Sequence, residues 1–367
     1  REAGIVVRRR GDGLVVEEAD PARYPTLKGA TLISCGGEPA LAHFEKRVLS
    51  WRGRPSVEAD WHLLAPLLFV DYGPPSPNPP SRCRFSTGDV TLQWRPTTSE
   101  RIEAMLQEKT DRTLSVEEFD GTIWVNLPTF SVNDPKSIEQ MHAVIAKTKE
   151  AVQRGNWKRL VFDLRGNAGG SASWGAELAE GVFGEAWTRG AWEWLSDGVY
   201  VEWRVSTDNV KAVEGNIRQS EQRHGVDSDQ TKNMRRFHER ISAALANQDV
   251  LYGSASPREG VPKPEPVALP GRVVVITSAT CFSACLDFLD LLRVHPAVVQ
   301  VGEITGVDTV YMENWGKPLP SGNGQISYPM KVYRNRRRGN NEPYVPHTRY
   351  PGDLEDTEAL RRWVLAL

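Results

Sequence analysis

Ser283 is the residue whose surroundings point most directly to chemistry. It stands where a hydrophobic run, Arg272–Thr277, gives way to an amphipathic stretch, 283–292, so a strand should lead through a turn into a helix that starts at a hydroxyl. Such a hydroxyl meets the free backbone N–H groups and the positive end of the helix dipole. About 120 residues upstream, a second apolar run ends in Asp163-Leu164-Arg165-Gly166-Asn167-Ala168-Gly169-Gly170. A glycine turn at a strand end offers further backbone donors. A hydroxyl nucleophile and an oxyanion hole are the parts of an acyl-transfer site. The expected donors are the N–H of Ala284 and that of Gly169 or Gly170. The competing reading of Ser283 is a plain helix N-cap, and that of the glycines a tight turn after a buried strand.

The elements that must position these residues can be read in outline. Strands are expected at 4–9, 13–17, 30–34 and 90–94, a helix at 57–69, and an extended proline loop at 74–80. Residues 1–98 form a small β-rich domain on this reading. The remainder, 99–367, opens with a strand at 122–127. Asp134 then caps a helix that has Pro135 at its first position and ends at Gly155, and a strand follows at 159–165. Residues 186–262 are charged and tryptophan-bearing, with a helix at 233–247, and are expected as an insertion. A last helix, 357–366, is capped by Asp356.

Composition excludes several classes. The 367 residues are 40% apolar and 25% charged, with a net charge of −2, so nothing favours a nucleic-acid partner. No apolar run reaches the length of a membrane span. The four cysteines lack zinc-finger spacing. Cys281 and Cys285 are expected to pack as small apolar residues, while Cys35 and Cys83 are candidates for a bridge only if the protein is exported, with unbridged cysteines the favoured reading. The chain starts at Arg1 without methionine, which suggests a trimmed product with sequence upstream.

The motif at 163–170 resembles the Asp-Leu-Arg-x-Asn-x-Gly-Gly signature of the tail-specific, or C-terminal processing, serine proteases. Phe282-Ser283-Ala284-Cys285 resembles their nucleophile motif. Val301-Gly302-Glu303-Ile304-Thr305-Gly306 is similar to the Val-Gly-Glu-x-Thr stretch that follows it, and Asn341-Glu342-Pro343-Tyr344-Val345-Pro346 to the closing segment. The resemblance implies an α/β fold: a ClpP/crotonase-like spiral core preceded by a PDZ-like domain. It implies a serine endopeptidase acting on polypeptides without metal or organic cofactor, exported, with homo-oligomers allowed. One branch of the family uses a Ser-Lys dyad, but the lysine slot here holds Asp308. The tricorn-like branch uses Ser, His and Glu. Glu342 matches its glutamate, while its histidine is expected upstream of Arg1. Among the seven histidines His62 is expected to pack and His142 to be solvated. His347, five residues after Glu342, is a candidate at the substrate site. So is Arg336, within the basic run 334–338, as a carboxylate-recognising group. Two other classes stay open: a non-catalytic peptide- or ligand-binding protein on a protease scaffold, and a hydrolase of small acyl substrates.

Overall fold

The structure is a computed structural model that describes residues 1–73, 77–106, 112–253, 260–322 and 324–367. Part of the expected proline loop, 74–76, lies outside the described residues. Two compact units divide the chain. Arg1–Thr188, Pro266–Asp308 and Pro343–Leu367 form the first, and Arg189–Glu265 with Thr309–Glu342 form the second.

The first unit holds two sheets. The N-terminal one contains β1 (Ile5–Arg10), β2 (Gly13–Ala19), β3 (Thr31–Cys35), β4 (Glu38–Pro39), β5 (Arg82–Phe85) and β6 (Gly88–Thr91), in the order β1-β2-β3-β5-β6 with β4 beside β3. The consecutive Ile5, Val6 and Val7 of β1 and the alternate Leu14 and Val16 of β2 join Phe44, Leu68, Phe69 and Phe85 in a separate core. Two short helices that the sequence did not announce, α1 (Ala40–Phe44) and α2 (Ser50–Arg52), are joined by a π-helical turn. The single helix expected over 57–69 is broken. α3 covers Glu58–Leu63, and a 3-10 turn covers Ala65–Phe69. Pro66 explains the break, since proline disfavours α geometry in the residue before it and removes a backbone donor. Cys35 and Cys83 face each other across β3 and β5 and form a disulfide. α4 (Ser99–Leu106) buries Met105 against the same core.

The second sheet runs β16-β13-β12-β9-β8-β7. Its members are β7 (Ser115–Phe119), β8 (Thr122–Asn126), β9 (Arg159–Asp163), β12 (Arg272–Thr277), β13 (Val298–Gly302) and β16 (Thr348–Arg349). The inner strands are parallel and nearly continuously apolar, as strands covered on both faces must be. α5 (Pro135–Gln153) opens as expected, with the Asp134 side chain accepting from the Ser137 N–H at 3.0 Å. α6 (Ala172–Phe183) follows the glycine turn, and α7 (Glu185–Leu195) follows α6. On one face α10 (Ala284–Leu292) lays Phe288 edge-on against Phe162 of β9 and Phe130. On the other, α11 (Thr357–Ala366) packs Leu360 and Val364 against Trp124, Val161 and Ile276; Asp356 caps it.

The second unit has its own sheet, β11-β10-β15-β14, made from β10 (Tyr200–Arg204), β11 (Leu251–Gly253), β14 (Tyr311–Pro318) and β15 (Gln325–Arg334). α8 (Thr207–His224) and α9 (Asp229–Ala246) complete it, with Val205, Val210, Ile241 and Ala244 at its centre.

Candidate active site

Two strand-to-helix passages of the first unit converge on Ser283. The first leaves β9 through Asp163 and Arg165, whose side chains are fully buried and paired at 2.5 Å. Arg165 also donates to the Leu354 carbonyl, which ties the turn to the segment before α11. A buried pair of this kind is poor evidence of net stability, but losing one partner strands the other charge and costs about 3–5 kcal/mol. The Gly166 N–H donates to Thr280 Oγ1 at 3.1 Å and lies 3.3 Å from Ser278 Oγ, so the glycine turn is stitched to the loop that carries Ser283. Asn167 is wholly buried: its amide donates to the Leu127 carbonyl at 2.9 Å, and its Oδ1 accepts the Gly169 N–H at 2.9 Å.

That last bond separates two residues the sequence left equivalent. The Gly169 N–H is consumed by Asn167. The Gly169 carbonyl accepts from Phe130 N–H, and Phe130 in turn accepts from Ser171 N–H. Gly170 is skipped by this ladder, and among the described residues its N–H has no backbone acceptor there. Gly169 itself is pressed against the second passage: a Cβ there would stand 2.8 Å from Ser283 Cβ and 3.1 Å from the Ala284 nitrogen. The glycine turn therefore opens α6 directly beside the turn that opens α10, and two helix N-termini face one region. Their partial positive charges suit a developing anion.

Ser283 is not an ordinary N-cap. Its side chain makes no capping hydrogen bond, and its backbone sits at φ 53°, ψ −124°. A positive φ in a β-substituted residue costs about 1–3 kcal/mol and persists only where the surroundings enforce it. Three groups enforce it here. Asp308 Oδ1 accepts the Ser283 N–H at 3.2 Å, the Phe282 ring fills the space a side chain at Gly306 would need, and Cys281 and Cys285 are joined by a disulfide across the turn. This bridge corrects the expectation that the two cysteines merely pack. Small, fully buried thiols look alike in a sequence, but a turn that brings their Cα atoms to 5.3 Å is within bonding range. Asp308, in the slot where a dyad lysine would lie, thus acts on the serine backbone. Among the described residues no histidine or lysine nitrogen is hydrogen-bonded to the Ser283 hydroxyl.

The other candidates are distributed more widely. Val57, Ala59 and Leu63 of the α3 region pack on Ala279 and Val307, which flank Ser283 and Asp308 in sequence. His62 lies between them, 3.6 Å from Glu303. Burial, with Arg9 nearby, pushes it from the usual 6.5 down to about 4. An unfolded histidine binds protons at higher pH than this one does, so its contribution to stability is present above pH 6.5 and is lost as pH falls from 6.5 through 4. Replacing His62 with Gln should remove up to about 3 kcal/mol of that pH dependence, read as a smaller drop in denaturation midpoint between pH 7 and 4.5. An identical drop in both proteins would refute the assignment. His142 is exposed, edge-on to Trp174. His347 accepts the Gln300 N–H through Nδ1 at 3.0 Å, and its own N–H donates to the Gln300 carbonyl, so it extends the β13 edge. In the second unit, the Glu342 carboxylate accepts the Gly339 N–H at 2.8 Å. Arg336 lies over the Tyr333 ring, and Arg337 over that of Trp194 at 3.8 Å, so the basic run is engaged within its own unit.

Ser283, uncapped and held at a positive φ, thus stands directly against the glycine turn that precedes α6. Residues 122–343 match the pattern of Peptidase family S41, and the chain belongs to that family. The fold is similar to that of mature CPAF, at 15% identity and a TM-score of 0.55, covering 94% of this chain and 77% of that one. The structure of mature CPAF complexed with lactacystin gives 15% identity and a TM-score of 0.56, over 95% and 78% of the two chains. No curated protein sequence matches. The chain is a serine-type peptidase, and its substrates are polypeptides.

Proposed function

We propose that the chain is a serine endopeptidase in which Ser283 attacks the scissile carbonyl, while the N–H groups of Ala284 and Gly170 receive the oxyanion. The strained, uncapped backbone of Ser283 carries this reading. The hydroxyl forgoes a cap bond worth about 1 kcal/mol, a sacrifice that makes sense where the oxygen is needed elsewhere. The added electron pair on the carbonyl oxygen then develops beside two helix starts, where it is stabilised without reorganisation. The serine proton passes to a histidine base, as the family resemblance implies, and returns to the leaving amine. Export to an oxidising compartment belongs to the same reading and is supported by the two disulfides.

Reaction with a fluorophosphonate followed by peptide mapping tests the assignment. A single adduct on the peptide containing Ser283 is the expected result. A folded full-length protein that takes no label, or takes it on another serine, would sink the assignment and favour a binding protein on a protease scaffold.

A further inference from the structure

The Cys281–Cys285 disulfide encloses the proposed nucleophile. Only Phe282, Ser283 and Ala284 lie between the two half-cystines, and both cysteines are fully buried. The Cys281 N–H donates to the Ser278 carbonyl at 3.1 Å, and the Cys285 N–H to the Phe282 carbonyl at 3.0 Å, so each end of the bridge is anchored in the turn. Inside this ring Ser283 holds a backbone conformation that a serine would leave if it could. The alternative is a specific one. Rotating to extended backbone would let Oγ cap the start of α10, exchanging strain for a hydrogen bond. That relaxation would swing the hydroxyl onto the helix and turn the Ala284 N–H away from the region faced by Gly169 and Gly170.

We infer that the Cys281–Cys285 disulfide is a positioning clamp that holds Ser283 in its reactive, uncapped conformation, so that the reactivity of the serine depends on the thiol redox state of the turn. The inference rests on the reading of Ser283 as nucleophile. Asp308 and the Phe282–Gly306 packing restrain the same turn without covalent bonds. The bridge is what prevents the 281–285 span from rearranging around them. Reduction by a dithiol is balanced: one thiolate attacks a cystine sulfur to give a mixed disulfide, the second thiol displaces it, and the dithiol becomes a cyclic disulfide. The protein gains two electrons and two protons as two thiols. The released turn then has the capped conformer open to it.

The experiment compares the oxidised wild-type chain, the same chain treated with dithiothreitol, and the Cys281→Ala/Cys285→Ala variant, which needs no reductant to reach the buried bridge. Two readouts are taken: the second-order rate of fluorophosphonate labelling, and amide exchange over residues 278–286. The variant is expected to label about 10- to 100-fold more slowly than the oxidised wild type, the range that a small misplacement of a reacting group produces. It should also exchange faster across the turn, keep wild-type exchange in β1 and β2 before reductant is added, and show no further change over 278–286 with dithiothreitol, since the Cys35–Cys83 bridge is common to both proteins. Labelling at the wild-type rate with unchanged exchange over 278–286 overturns the clamp. Faster exchange at the turn, with no labelling of the full-length protein in any form, leaves the clamp standing and refutes Ser283 as the nucleophile instead.

Discussion

Ser283→Ala is expected to lower hydrolysis of a quenched fluorescent peptide by at least about 10³-fold, while leaving the melting temperature where it is or raising it. The first half follows from the role of a nucleophile, whose removal leaves only the oxyanion hole and binding. The second half separates this reading from the structural one. An N-cap serine loses about 1 kcal/mol of stability when truncated to alanine, but Ser283 makes no such bond. Ser283→Gly sharpens the contrast. Glycine occupies φ 53° without penalty, so this variant should gain about 1 kcal/mol of stability while being equally inactive. A site that trades stability for reactivity gives opposite signs in the two assays. Parallel loss of stability and activity in both variants would mean that Ser283 is holding the helix start, and the proposed nucleophile would have to be sought elsewhere.

Much of the scaffold around this residue was legible because its signals are local. The runs that became β9 and β12 have continuously apolar centres, Leu160–Phe162 and Val273–Ile276. Asp134 with Pro135, and Asp356 before 357–366, announce helix starts through cap chemistry that requires nothing distant. The features that single out the site are of another kind. Which glycine keeps a free N–H depends on the buried Asn167 amide, whose two partners, Leu127 and Gly169, lie 40 residues before it and two after it. The role of Asp308 depends on a hydrogen bond 25 residues back along the chain. The bridge between Cys281 and Cys285 depends on a turn conformation that serine rarely adopts. Sequence spacing carries none of these. The hairpin β14–β15 escaped for a different reason. It is largely exposed, so it lacks the alternation that marks a half-buried strand.

The adjacent glycines of the turn should respond differently to the same methyl group. Gly170→Ala places a Cβ 2.0–2.3 Å from backbone atoms of Phe130 and Ser131 at φ 138°. The Phe130 carbonyl accepts the Ser171 N–H and the Ser131 N–H donates to Thr129 Oγ1, so these atoms can yield only if those bonds break. The expected result is a loss of more than about 3 kcal/mol of stability, with activity lost through unfolding of the turn. Gly169→Ala is milder for the fold and severe for the chemistry. Its Cβ would meet the Phe282 carbonyl and Ser283 Cβ at 2.8 Å, so the cheapest relief is to push the 282–284 turn away. Displacing both Ser283 Oγ and the Ala284 N–H should lower kcat/KM by about 10²–10³-fold, the scale of a lost oxyanion donor, while the melting temperature falls by only a few degrees. Fluorophosphonate labelling should slow in step with hydrolysis, because both require the same oxygen and the same donors. If Gly169→Ala instead keeps its labelling rate and loses only stability, the close approach of the two turns is a packing contact. The oxyanion donors would then lie outside the turn at Gly169 and Gly170.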